Sequence, residues 1–154
     1  MMRDLAVDEY GSLTGDAYGY DNLLASFDVP VVLKVDDNDY QGDSRLLLKD
    51  GERWGILTFG WGSCSGCDAY EACSGLADYV ELRDQLWNDI HWEANAAALL
   101  AYIDGKDWSL EYGWYRDDAM RAFLEKAREW LAFYIATGQL PVEELGGTRP
   151  AIGR

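Results

Sequence analysis

The dipeptide Asp50-Gly51, set between two runs of β-forming residues, constrains this chain more than any other feature. It is favoured in two-residue hairpin turns because both central positions need positive φ, and such a turn fixes the pairing of the strands it joins. Arg45–Lys49 and Glu52–Gly60 are therefore expected as an antiparallel pair. Val31-Val32-Leu33-Lys34-Val35, opened by Pro30 and rich in β-branched residues, reads as a strand before them. Three strands in succession make a meander. Between the first two, residues 36–43 carry too many carboxylates to bury themselves and are expected as turn or loop.

Past residue 68 the apolar period changes from two to 3.6. Asp68 with Glu71, and Asp78 with Glu81, each match a capping box, in which an oxygen at the helix start and a carboxylate three residues on satisfy free amides. Two helices are expected there, separated by Gly75, the second with Tyr79, Leu82, Leu86 and Ile90 on one stripe. Ile90-His91-Trp92 reads as a short strand or a link. Ala94–Ile103 is helical, with Gly105 as its stop, and Trp108–Tyr115 alternates loosely like a strand. Asp117–Ala136 has the clearest helical pattern, with Met120, Phe123, Leu124, Ala127, Leu131, Tyr134 and Ile135 at spacings of three and four and Gly138 as a cap. A short helix is expected at Asp21–Phe27. The fold class is α+β: one domain over residues 1–140, an antiparallel meander followed by about four helices on one face of the sheet. Residues 141–154, with Gly146-Gly147 and Pro150, read as a flexible tail.

At 154 residues the chain suits one domain with a core of its own, and an aromatic content of 14% supplies bulky side chains to fill it. No 18-residue apolar run occurs, so a membrane association is not expected. Three cysteines, two of them three apart, suit a reducing compartment better than a disulfide framework. The net charge is −15 and is uneven: residues 1–50 hold 11 acids and 4 bases, residues 51–100 hold 8 and 2, and residues 101–154 hold 9 and 7. Such a field repels phosphate and argues against direct nucleic-acid binding, which draws on Lys and Arg. It attracts basic protein surfaces, including those that themselves hold nucleic acid.

The reactive residue types crowd into Phe59-Gly60-Trp61-Gly62-Ser63-Cys64-Ser65-Gly66-Cys67-Asp68. Gly62 and Gly66 permit close backbone approach, Ser63 and Ser65 offer hydroxyls, and Asp68 stands where a helix is expected to begin. A strand, a glycine-rich loop and a helix start together form an anion pocket, but the Lys-Ser/Thr pair of a nucleotide loop is missing. Cys64 and Cys67 form a CxxC, which gives thiol redox chemistry a mechanism: Cys64 attacks and Cys67 resolves. Cys64, Cys67 and Cys73, with His91 or Asp68 as a fourth ligand, have the composition of a zinc site, although no second CxxC supports it. The packing alternative is a tight turn with the cysteines as buried apolar groups.

Asp36, Asp37, Asp39, Tyr40, Gln41 and Asp43 form an acidic loop resembling the start of a calcium loop. The closing bidentate Glu would fall at Leu48, which argues against that reading. The loop is either a solvated patch or a neighbour that lends carboxylates to the cysteine loop. No complete catalytic constellation is present.

Asp39-Tyr40-Gln41-Gly42-Asp43, the Leu-rich strand after it, and Phe59-Gly60-Trp61-Gly62-Ser63-Cys64-Ser65-Gly66-Cys67-Asp68-Ala69 resemble a family of small acidic proteins carried by phage and bacterial genomes. The resemblance covers roughly residues 30–140. It implies a phage or prophage context with no established activity and carries over no catalytic residues; with no long apolar run in the chain, the cytoplasm of the bacterial host cell is the expected location. With the charge, the resemblance leads to the expectation of a non-enzymatic accessory protein that binds a basic protein partner, as an inhibitor of a host nucleic-acid-handling or defence protein would. The alternative is a thiol-redox, zinc or small-ligand protein using Cys64 and Cys67.

Overall fold

The structure, a computed structural model, describes residues 2–37, 41–62, 66, 68–110 and 117–142. Its centre is a four-stranded antiparallel sheet in the order β1 (Val31–Asp36), β2 (Gly42–Asp50), β3 (Arg53–Trp61) and β4 (His91–Glu93). The α+β class is as expected, and Ile90-His91-Trp92 resolves into a strand, β4, rather than a link. The β2–β3 hairpin forms one residue later than the sequence suggests. Asp50 pairs with Arg53, so the turn residues are Gly51 and Glu52. Gly51 alone takes positive φ, at 62°, the pattern of a turn with Gly at its first central position. Asp50 instead closes the ladder and holds Arg53 at 2.9 Å.

Helices lie on both faces of the sheet, not on one. On one face Leu47, Trp54 and Ile56 pack with α3 (Ala96–Gly105) and α4 (Asp117–Thr137), burying Leu99, Ile103, Phe123, Ala127 and Leu131. On the other, Leu46, Leu48 and Leu57 pack with α1 (Tyr20–Ala25) and α2 (Leu76–Asp89), burying Leu23, Phe27, Tyr79, Leu82 and Leu86. The physical reason stands in β2, where Ser44 to Leu48 are buried without a break. A strand with one wet face alternates, whereas one covered on both faces reads as a continuous apolar run. A register shift in β1 between Val31 and Leu33 sends Val32 and Leu33 together into the α3/α4 core and leaves Val31 against the other.

Several expected helix starts move. Residues 69–72 form turns rather than a helix, because Asp68 bends the chain back on itself through Tyr70 N, 2.9 Å away, and the stretch before Gly75 is too short to propagate one. Helix α2 begins at Leu76, with Asp78 inside its first turn accepting from the Ser74 amide and hydroxyl at 2.9 Å each. Helix α3 is capped by Asn95, whose Oδ1 accepts from Ala98 N at 2.8 Å. Trp108–Leu110 is a short 3₁₀ turn rather than the start of a strand, and the rest of that expected strand lies outside the described residues. So does nearly all of the expected tail, from residue 143 onward. Helix α4 runs one residue past its expected end, to Thr137, and Gly138 donates to Tyr134 O at 2.7 Å.

Candidate functional site

The β1–β2 connection positions the first half of the site. Asp37 N donates to Asp43 O at 2.9 Å, and Asp43 N donates to Asp37 Oδ2 at 2.9 Å, so the loop is closed at its base. A side chain at position 42 would place its Cβ 2.6 Å from Asp37 Cβ, which is why Gly stands there. Arg45 follows on β2, fully buried, and donates from Nη1 to Asp37 Oδ1 at 2.9 Å, with Asp43 Oδ2 at 3.6 Å from Nη2. Asp37 is thus a buried counter-ion and not part of a solvated patch. Burial pushes the Asp43 carboxyl above its ordinary value, against the opposing pull of Arg45.

Asp36 faces the exit of β3. Ser44 Oγ donates to Asp36 Oδ1 at 2.6 Å, and Trp61 Nε1 donates to Ser44 Oγ at 2.9 Å. Trp61 pairs across the ladder with Gly42, so the head of the glycine-cysteine stretch is tied to the acidic loop. Lys34 Nζ donates to Asp36 Oδ2 at 2.6 Å and stands 3.2 Å from Asp21 Oδ1.

Asp68 closes the arrangement from the opposite side. Its Oδ1 accepts from the Tyr20 hydroxyl at 2.5 Å and from Tyr70 N at 2.9 Å. Burial, and then the bond to Asp68, hold the Tyr20 phenol far above its ordinary range, so it stays a donor. Tyr20 packs between Phe59, at 4.9 Å between ring centroids, and Tyr70, at 5.3 Å, and Tyr70 continues to Tyr79 at 5.3 Å. Between these walls lies a cavity of about 610 Å³, lined among others by Tyr18, Tyr20, Lys34, Asp36, Trp61 and Asp68. The acidic loop and the end of the cysteine stretch therefore meet in space, through Asp36, Asp37 and Asp68. A neighbouring hollow of about 640 Å³ is lined by Arg3, Asp28, Asp21 and Lys34, whose charges already pair with one another.

The expected metal set does not assemble from its described members. His91 lies opposite Ile56 in the ladder, on the α3/α4 face, where it stacks on Tyr102 at 3.6 Å and meets Glu93 Oε2 at 2.5 Å. Cys73 packs against the α1/α2 core and donates from Sγ to Ala69 O at 3.4 Å. The sheet separates the two. Burial, with Asp78, Asp68 and Glu81 around it, pushes the Cys73 thiol up and disfavours the thiolate that a nucleophile or ligand needs. Among the described residues no group of three His, Cys, Asp or Glu side chains is placed to hold a metal ion. Ser63, Cys64, Ser65, Cys67, Asp39 and Tyr40 lie outside the described residues. Gly62 is half-buried, Gly66 is exposed and Gln41 is half-buried.

Tyr20, Lys34 and Ser44 belong to the site without any signal in sequence spacing: Tyr20 and Asp68 are 48 positions apart. Trp61, inside the stretch that stood out, was legible as a neighbour though not as a donor. The chain matches no protein-family model, no curated protein and no solved structure.

Proposed function

We propose that this chain is a non-enzymatic, phage-associated protein that binds the basic surface of a protein partner and thereby blocks a nucleic-acid-handling or defence function of the host. The observation that carries the reading is the internal use of its cations. Arg3, Lys34, Arg45, Arg53, Arg83, Arg121 and Arg128 each pair with an aspartate of the same chain. Asp4, Glu9, Asp16, Glu71, Glu81 and Asp89 are exposed and join no ion pair among the described residues. The surplus of a −15 chain is therefore presented outward, where it speeds association with a positive surface and competes with phosphate for it. The same field opposes direct binding to nucleic acid. No helix among the described residues is long and apolar enough to cross a membrane.

The test is capture from a bacterial lysate, followed by titration of the purified pair across salt from about 50 to about 500 mM. A basic nucleic-acid-binding partner is expected, with affinity falling steeply as salt rises and with its nucleic acid displaced. Binding indifferent to salt, or a partner that keeps its nucleic acid at saturation, would refute the reading.

A further inference from the structure

Asp68 leaves one carboxylate oxygen without a protein donor among the described residues. It is 8% exposed, its Oδ1 takes both hydrogen bonds, and among the described residues no donor or cation reaches Oδ2. Oδ2 is not sealed off: it keeps access to the cavity, where an entering cation would meet it. Lys34, the cation lining the same cavity, is already engaged by Asp21 and Asp36. Among the described residues, the cavity thus holds a carboxylate oxygen that no cation engages.

The walls restrict what that counter-charge is. Tyr18, Tyr20, Trp61 and Tyr70 line the space, and Tyr18 is 93% exposed, a large aromatic side chain left in water beside an opening. The donor set does not suit a metal, since the described carboxylates do not cluster in threes. An anion is repelled by Asp36, Asp68 and Glu71, which line it together. A flat cation satisfies both carboxylate and rings, because a guanidinium stacks on aromatic faces and is more weakly hydrated than an ammonium. The volume, about 610 Å³, falls within the range of preformed ligand sites.

We propose that this cavity is a slot for an arginine side chain of the partner, with Asp68 as its buried counter-charge and the tyrosine and tryptophan rings as its stacking walls. The proposal rests on the reading of the chain as a binder of basic surfaces and assigns that surface an anchor point. Around the slot, exposed carboxylates steer; within it, Asp68 selects.

The experiment is calorimetric titration with an octa-arginine peptide, run on the unaltered chain, on Asp68→Asn and on Asp16→Asn, an exposed carboxylate that does not line the cavity. Asparagine keeps an oxygen for Tyr20 and Tyr70, so the fold around it is retained while the charge is lost. Asp68→Asn is expected to weaken binding at least about tenfold, and Asp16→Asn less than about twofold. Asp68→Asn within about twofold of the unaltered chain overturns the slot but leaves the broader reading standing. No binding of octa-arginine to the unaltered chain at low salt overturns both. A second measurement needs no variant: N-acetyl-arginine amide added to isotope-labelled protein should shift the Trp61 indole and Tyr70 amide resonances. Shifts elsewhere only, or equal affinity for N-acetyl-lysine amide, would overturn the guanidinium assignment.

Discussion

The two faces of the sheet are covered by the same means and end up chemically unlike. On the α3/α4 face two helices of 10 and 21 residues lay continuous apolar stripes on the strands. The result is a more fully packed core, in which Trp108 donates to Ile103 O at 2.8 Å and a smaller hollow of about 300 Å³ remains beside His91 and Tyr102. On the α1/α2 face the first helix has six residues and the chain before it is irregular, with one isolated bridge between Val7 and Leu13. The cover is incomplete there, and the gap is walled by phenols and carboxylates. A short helix cannot fill a long groove. What it leaves open is where chemistry can be placed.

The largest test of this contrast is Phe123→Ala, which removes a fully buried ring from the more fully packed face. A loss of about 3–5 kcal/mol is expected in denaturant unfolding. A loss under about 1 kcal/mol would show that the α3/α4 face is not the packed core described. Asp37→Asn comes next. It strips the buried Arg45 guanidinium of its nearest counter-ion in the wall of the cavity, leaving Asp43 at 3.6 Å as a poorer substitute, and should cost about 3 kcal/mol. An unchanged midpoint would mean that the acidic loop is solvated after all.

Tyr20→Phe should have the smallest effect, about 1–3 kcal/mol, from a buried carboxylate left with one donor fewer. It carries a pH signature. Burial raises the phenols of Tyr20, Tyr70 and Tyr79, all on the α1/α2 face. From about pH 10 upward the unfolded chain loses those protons first, so stability falls as pH climbs toward the raised values. Tyr20→Phe should blunt that alkaline decline, measured as unfolding midpoint against pH. An identical alkaline profile would remove Tyr20 from the site's electrostatics.

The elements were largely legible in the sequence, because each rests on local chemistry. Period-3.6 apolar residues marked α4 to within one residue, and Asp50-Gly51 announced the hairpin although the turn sits one residue on. The double-sided sheet also had a signal, the unbroken Leu46-Leu47-Leu48, where a half-wet strand would alternate. The capping boxes misled at Asp68 because its carboxylate is claimed by Tyr20, a partner from another element. Propensity weighs only neighbours along the chain.

The stretch around the cysteines concentrates reactive residue types, and by itself the sequence determined that small side chains and the carboxylate of Asp68 follow directly on β3. It also determined the excess of negative charge, which no fold can remove. Only the tertiary structure decided which carboxylates are spent. Asp37 goes to Arg45 and Asp36 to Lys34, while Asp68 is buried against Tyr20 with its second oxygen unclaimed among the described residues. It also parted His91 from Cys73 across a sheet, undoing a metal set whose composition was right. The reason is one of distance: charge and period are properties of the chain. A site, by contrast, is made by contacts between residues tens of positions apart, which only packing selects.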